Sequence, residues 1–152
     1  AAGNDAADLS SQAVTNNTPA PADTTPPECS SAAVHGDQLV LTYIEANTLS
    51  GAALTGNAGF TVSSTADTDI TVSSAVVDAT AKTVTLTLSR AVTSAETVTV
   101  NYTKPETGGV QDAAGNDAAD LSSQAVTNNT PAPADATPPQ LITSGETTRP
   151  RV

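Results

Sequence analysis

The segment 111–120, "QDAAGNDAAD", concentrates Asp112, Asn116, Asp117 and Asp120 around a single glycine, Gly115. Oxygen-bearing side chains at this density suit the capture of a hard divalent cation. Calcium takes about six to eight oxygens, drawn from carboxylates, asparagine side chains and backbone carbonyls. The spacing is not that of an EF-hand, which needs D-x-[DN]-x-[DN]-G and a distal Glu, nor that of a Gly-rich nonapeptide calcium roll. Asp-Ala-Ala-Gly-Asn is also good turn chemistry, with Gly115 or Asn116 free to take positive φ. Both readings stand at this level, a tight turn and a partial set of calcium ligands.

Catalytic constellations are weaker. His35 is the sole histidine and sits beside Gly36 and Asp37, which reads as a turn. Serines are too frequent for proximity to that histidine to signify a triad. No H-E-x-x-H, C-x-x-C or Gly-rich phosphate loop is present. With one Phe, two Tyr and no Trp, there is little to wall a sugar cleft or raise a carboxyl pKa. Lys82 and Lys104 flank turns, whereas an intramolecular isopeptide bond requires a buried lysine. The expectation is a protein that is not an enzyme.

Positioning the acidic groups requires strands. "LVLTYI" (39–44), "GFTVSS" (59–64), "TVTLTLS" (83–89) and "TVTVNYT" (97–103) alternate apolar and polar residues with period two. Leu41, Tyr43, Phe60, Val84, Leu86, Val98 and Val100 are the expected core. "DITVSSAVVD" (69–78) changes phase near Ser73 and Ser74, which predicts a bulge. "CSSAAV" (29–34) and "SSQAVTN" (122–128) are weaker strands, and "AADLSS" admits a short helix. About seven such strands predict an all-β fold, an immunoglobulin-like Greek-key β-sandwich. Strand parity then places the start of the first strand, the loop after the second and the loop before the seventh at one end. The expected calcium site is therefore Asp23, Glu45, Asp112, Asn116 and Asp117, with Asp120 nearby.

The charge balance agrees with this picture. Five Lys and Arg against sixteen Asp and Glu give a net charge of −11. Such a surface repels phosphate backbones, so nucleic acid is excluded as a partner. Cys29 is the lone cysteine, which rules out an intrachain disulfide and reads as a buried small side chain. No apolar run approaches membrane-spanning length.

Residues 1–27 and 113–139 differ only at Thr24, which is Ala136 in the second copy, so a period of 113 − 1 = 112 residues runs through the chain. This repetition sets the expected organisation. Residues 1–17 are the last strand of a preceding repeat and 18–27 a Pro/Thr-rich linker. Residues 28–129 form a complete repeat, 130–139 a second linker, and 140–152 start a following segment. The chain reads as a piece of something longer. Pro-rich linkers of this kind are extended, semi-rigid spacers.

"PPECSSAAVHGDQLVLTYIEANTL", "GFTV", "AVTSAETVTVNYT" and "VQDAAGNDAADLSSQAVTNNT" together resemble a bacterial Ig-like tandem repeat of giant cell-surface proteins, of the SwmB type known from marine cyanobacteria. That resemblance implies an extracellular or cell-surface, non-enzymatic repeat used in surface layers, stalks or adhesion. Its expected partners are neighbouring repeats of the same protein or copies of the same chain, with a cell-surface or extracellular-matrix ligand as a further candidate. The duplicated ends leave an alternative, a filament subunit that polymerises by donor-strand exchange.

Overall fold

The computed structural model describes residues 2–66, 69–135 and 137–139; the expected following segment, 140–152, lies outside them. Seven strands run in order: β1 (Glu28–His35), β2 (Gln38–Ile44), β3 (Phe60–Ser64), β4 (Val72–Asp78), β5 (Thr83–Leu88), β6 (Val98–Tyr102) and β7 (Leu121–Asn128). Among the described residues there is no helix. The stretch that admitted one, "AADLSS", instead leads into β7, because Leu121 packs against the core and its backbone pairs with Tyr102. Tertiary pairing overrides a weak local helical tendency.

The strands hydrogen-bond in the order β3-β6-β7-β1-β2-β5-β4. Neighbours are antiparallel except β1 and β7, which run parallel through only Ala33–Thr127 and Val34–Asn128. The row curls strongly, so that its two end strands, β3 and β4, come into contact. Curling turns one face of every strand inward. Leu39 and Leu41 of β2 stand opposite Leu86 and Val84 of β5, and Val62 of β3 opposite Val100 of β6. All these side chains are buried in a single cluster. Each such burial contributes about 1.5–3 kcal/mol.

All seven residues expected in the core are buried. Phe60 and Tyr102 stack with ring centroids 4.6 Å apart, and the Val110 amide donates to the Tyr102 hydroxyl at 2.9 Å. The expected bulge is present, since pairing slips between Val72↔Leu88 and Ser74↔Thr87. That slip brings Ala75 inward and leaves Val76 exposed.

The two ends of the fold carry different parts of the chain. At one end lie the start of β1, the end of β2, the β4–β5 turn and the start of β7. At the other, β1 and β7 both finish. There the Asn129 amide donates to the Val34 carbonyl at 2.8 Å, and the Gly36 amide to Thr130 Oγ1 at 2.9 Å. The chain thus enters the body at one end and leaves from the opposite one.

Candidate functional site

Carboxylate oxygens of Asp23, Glu45 and Asp112 lie within 4.8 Å of one another at the end where the chain enters. Glu45 follows β2 directly and is buried, as is Asp112. Asp112 reaches it because Leu49, itself buried, pairs with Asp112 in an isolated bridge. The Ala113 amide donates to the Thr48 carbonyl at 3.0 Å and the Ser50 amide to that of Gln111 at 2.8 Å. These bonds staple the loop before β7 onto the exit of β2.

Within the loop Gly115 takes φ +94°, a conformation that strains a residue with a Cβ. That turn folds Asn116 back onto Asp112. The Asn116 amide nitrogen donates to Asp112 Oδ1 at 2.8 Å and its Nδ2 to Oδ2 at 2.7 Å. Burial pushes the Asp112 carboxyl up. Hydrogen bonds from the Asn116 side chain and from the backbone of Asn116, Ala114 and Gly115 outweigh it and hold the group below the usual carboxylate range.

Asp23 is fastened from three sides. Asn116 Nδ2 donates to its backbone carbonyl at 3.0 Å, Asn47 Nδ2 to its Oδ2 at 2.9 Å, and the Thr25 amide to its Oδ1 at 2.9 Å. The Asn47 amide also donates to Glu45 Oε1 at 3.0 Å, and Lys82 Nζ donates to the Glu45 backbone carbonyl. The Lys82 ammonium therefore sits against the backbone of the site, not on its carboxylates. Two unit negative charges 4.8 Å apart, the outer limit of this cluster, repel by about 3.5 kcal/mol at an effective dielectric near 20.

Asp117 lies apart from this group. Its Oδ1 accepts from Gln111 Nε2 at 2.7 Å and its Oδ2 is paired with Lys104 Nζ at 3.0 Å. These two contacts, that with Lys104 first, hold its carboxyl low. Asp120 accepts from the Lys104 amide at 2.7 Å, so both aspartates brace the β6–β7 loop. The Lys104 side chain is about half exposed (48%), which is not the buried setting an isopeptide bond needs. His35 is exposed at the end of β1, and Cys29 is a half-buried free thiol pushed up by burial.

Sequence reasoning brought together Asp23, Glu45, Asp112 and Asn116, and it missed Asn47 and Lys82. Both were reachable. Asn47 is two residues beyond Glu45, the spacing at which a side-chain oxygen caps a backbone amide. The parity that puts the β2–β3 loop at this end puts the β4–β5 turn, with Lys82, there too.

A family model described as "Putative flagellar system-associated repeat", the SWM repeat, matches residues 22–107, more than half of the chain. The chain belongs to this family. The SWM repeat match opens in the linker just before Asp23 and includes Glu45, but stops short of Asp112 and β7. No curated protein matches the chain. Among solved structures, the N-terminal part of the bacterial S-layer protein SbsC is similar, with a TM-score of 0.54 and 22% identity over 72% of this chain. The chain spans 25% of that structure's length, and at this identity the likeness concerns the fold alone.

Proposed function

We propose that this SWM repeat is a non-enzymatic structural module of an extracellular or cell-surface protein, joined head to tail with like modules in a stalk, adhesin or surface fibre. The observation that carries this reading is the placement of the ends. The body begins at Asp23 and finishes at Thr130 on the opposite side, and the sequence that follows it, residues 131–139, repeats the linker 19–27 that precedes it, apart from the change at position 24. Modules so connected extend a line instead of folding back. Membership of a flagellar-system repeat family and the fold shared with part of an S-layer protein both support a surface setting.

The spacing between modules depends on the same contacts. Thr18 corresponds to Thr130 and Asp23 to Asp135, so the unpinned linker is residues 19–22, repeated as residues 131–134. Four residues of polyproline geometry span roughly 12 Å. That is short and stiff enough to keep modules in line. The strand sets β4-β5-β2-β1 and β3-β6-β7 match the two sheets of a constant-type immunoglobulin sandwich, DEBA and CFG. This supports the Greek-key sandwich reading of the curled row.

Calcium fits the junction in this reading. Asp23, Glu45 and Asp112 supply the charge, and the Asn116 amide, turned about its last bond, would supply a further oxygen beside the Asp23 carbonyl. Asp117, committed to Lys104, would join only by leaving that pair.

Two consecutive 112-residue periods, studied by small-angle scattering, test the linear arrangement. An extended particle whose length grows by a constant step per added period is expected. A compact particle would contradict it. An antibody against residues 28–129 should also label intact producing cells, and labelling only after lysis would remove the surface assignment.

A further inference from the structure

The chain reaches the body at Asp23, beside the starts of β1 and β7, and leaves it at Thr130, beyond the ends of both. The two strands therefore point from the entering end to the leaving end, and where they touch they are parallel. Tension along the chain pulls β1 backward by its first residue and β7 forward by its last. Each strand is drawn past the other along its own axis. Hydrogen bonds between them lie across that direction and are strained together, whereas a strand lifted from one end gives up its bonds singly.

The bonds that resist this sliding are gathered at residues 127–130. Ala33 pairs with Thr127 and Val34 with Asn128. The Asn129 amide donates to the Val34 carbonyl at 2.8 Å, and the Gly36 amide to Thr130 Oγ1 at 2.9 Å. Asn128 Nδ2 donates to the backbone carbonyls of Thr93 and Glu96 at 2.8 and 2.9 Å. The loop that offers those carbonyls is itself braced, since the Glu96 carboxylate pairs with Arg90 at 2.9 Å and accepts from Ser64 Oγ at 2.7 Å. Of the two strands β1 is the firmer: Ala32 and Val34 are buried, and a ladder along its whole length joins it to β2. By contrast β7, alone among the seven strands, has no buried side chain. Toward the entering end it parts from β1 around a cleft of about 560 Å³. Against a pull, β7 is therefore held by its ladder to β6 and by the contacts of residues 127–130.

We propose that the module withstands tension along the chain, and that residues 127–130, seated against β1 and the 93–96 loop, are the clamp that sets the force at which it opens. This rests on the reading of modules joined end to end, in which tension enters at Asp23 and leaves at Thr130. A slip of β7 by one residue breaks the contacts of the clamp together, and the β6–β7 ladder follows. Forced opening is governed by the barrier to this first slip, not by the stability of the whole fold. Substitutions far from the clamp thus weaken the fold without hastening its opening under load.

The test holds single molecules of the full chain, with Cys29→Ser, by handles at both termini and unfolds them at constant force. Thr130→Val keeps the branched shape and removes the acceptor of the Gly36 amide. Its unfolding rate at a fixed force should rise about tenfold, the effect of one lost hydrogen bond on the barrier. Val77→Ala lies on β4 at the far edge of the row and trims a partly buried side chain. It should lower the urea midpoint and leave the rate under force nearly unchanged. Direction supplies a second readout. One handle is moved to Asp37→Cys in the exposed β1–β2 turn, and the other stays at the C-terminus. Both pulls then act at the leaving end and lift β7 off residue by residue, so the module should open at a lower force than between its termini. Equal opening forces in the two directions would overturn the proposal, as would a Val77→Ala module that opens as fast as Thr130→Val. Small-angle scattering decides separately whether modules lie in line. An extended array whose modules open at equal force in both directions would remove the clamp alone and leave that reading standing.

Discussion

The Asn116 side-chain amide donates to the backbone carbonyl of Asp23 at 3.0 Å, joining residues 93 positions apart. One nitrogen thus ties the incoming linker to the loop before β7, since it also donates to Asp112. Asn116→Ala removes both bonds and leaves a buried carboxylate short of a donor. A loss of about 1–3 kcal/mol is expected. The change should also expose residues 19–27 to protease before the body itself is cut. An unaltered denaturation midpoint together with an unaltered cleavage order would show that Asn116 does not fasten the linker.

Calcium should raise the melting temperature, because binding to the folded state alone stabilises it by about 2.7 kcal/mol at a hundredfold excess over Kd. Glu45→Gln keeps the shape of the buried side chain and removes one of the three clustered charges. It should abolish most of the calcium response while leaving the calcium-free protein at least as stable as its parent. Titration calorimetry that detects no heat at millimolar calcium would sink the metal reading.

Acid stability carries a sign set by Asp112. Burial works against its charged form, yet the Asn116 contacts win and its folded-state pKa lies below the usual value. An unfolded Asp titrates near 3.9, so as pH falls the unfolded chain takes up this proton first. The stabilisation is whole above about pH 4 and is lost as pH drops through the lower folded value. Glu96 acts in the same direction: burial raises its carboxyl, and bonds from Arg90 and Ser64 bring it below the normal range. Asn116→Ala should therefore shift the acid-unfolding midpoint upward, by removing the side-chain part of the Asp112 share while its backbone donors and the share of Glu96 remain. Circular dichroism across pH 2–6 reads this, and superimposable acid limbs for the two proteins would refute it.

The strands were legible because alternation records which face is wet. Val84, Leu86 and Leu88 against Thr83, Thr85 and Thr87 admit only one inward face, and the structure buries the first set. The phase change at Ser73 and Ser74 was legible for the same reason, since a bulge is the only way to keep both halves of β4 facing inward. The cluster at the chain-entering end was legible from parity, which needs only the number of strands between two loops. Finer matters were not. Whether Asp117 meets Glu45 or Lys104 depends on the direction of one side chain in a turn, and spacing is silent on that. The helical option at residues 118–123 failed because Leu121 is decided by β6, a partner distant in sequence.

Gly59 offers the sharpest local test of the frame behind the site. It sits at φ +87°, and a Cβ built there falls 2.1 Å from the Thr103 carbonyl oxygen. The contact is close because the Thr103 amide donates to the Gly59 carbonyl at 3.0 Å, closing the ladder where β3 begins and β6 ends. Backbone, not a flexible side chain, stands in the way. Gly59→Ala must therefore separate the two strands near the stacked Phe60 and Tyr102 rings, and a loss of about 2–4 kcal/mol is expected from the strained dihedral and the broken packing together. Gly51 is the control, since nothing lies within 4 Å of its added Cβ and its φ is not positive. Gly51→Ala should move the urea midpoint little in either direction. Equal midpoints for the two alanine variants would mean that the β3–β6 edge tolerates a separation the close contact forbids.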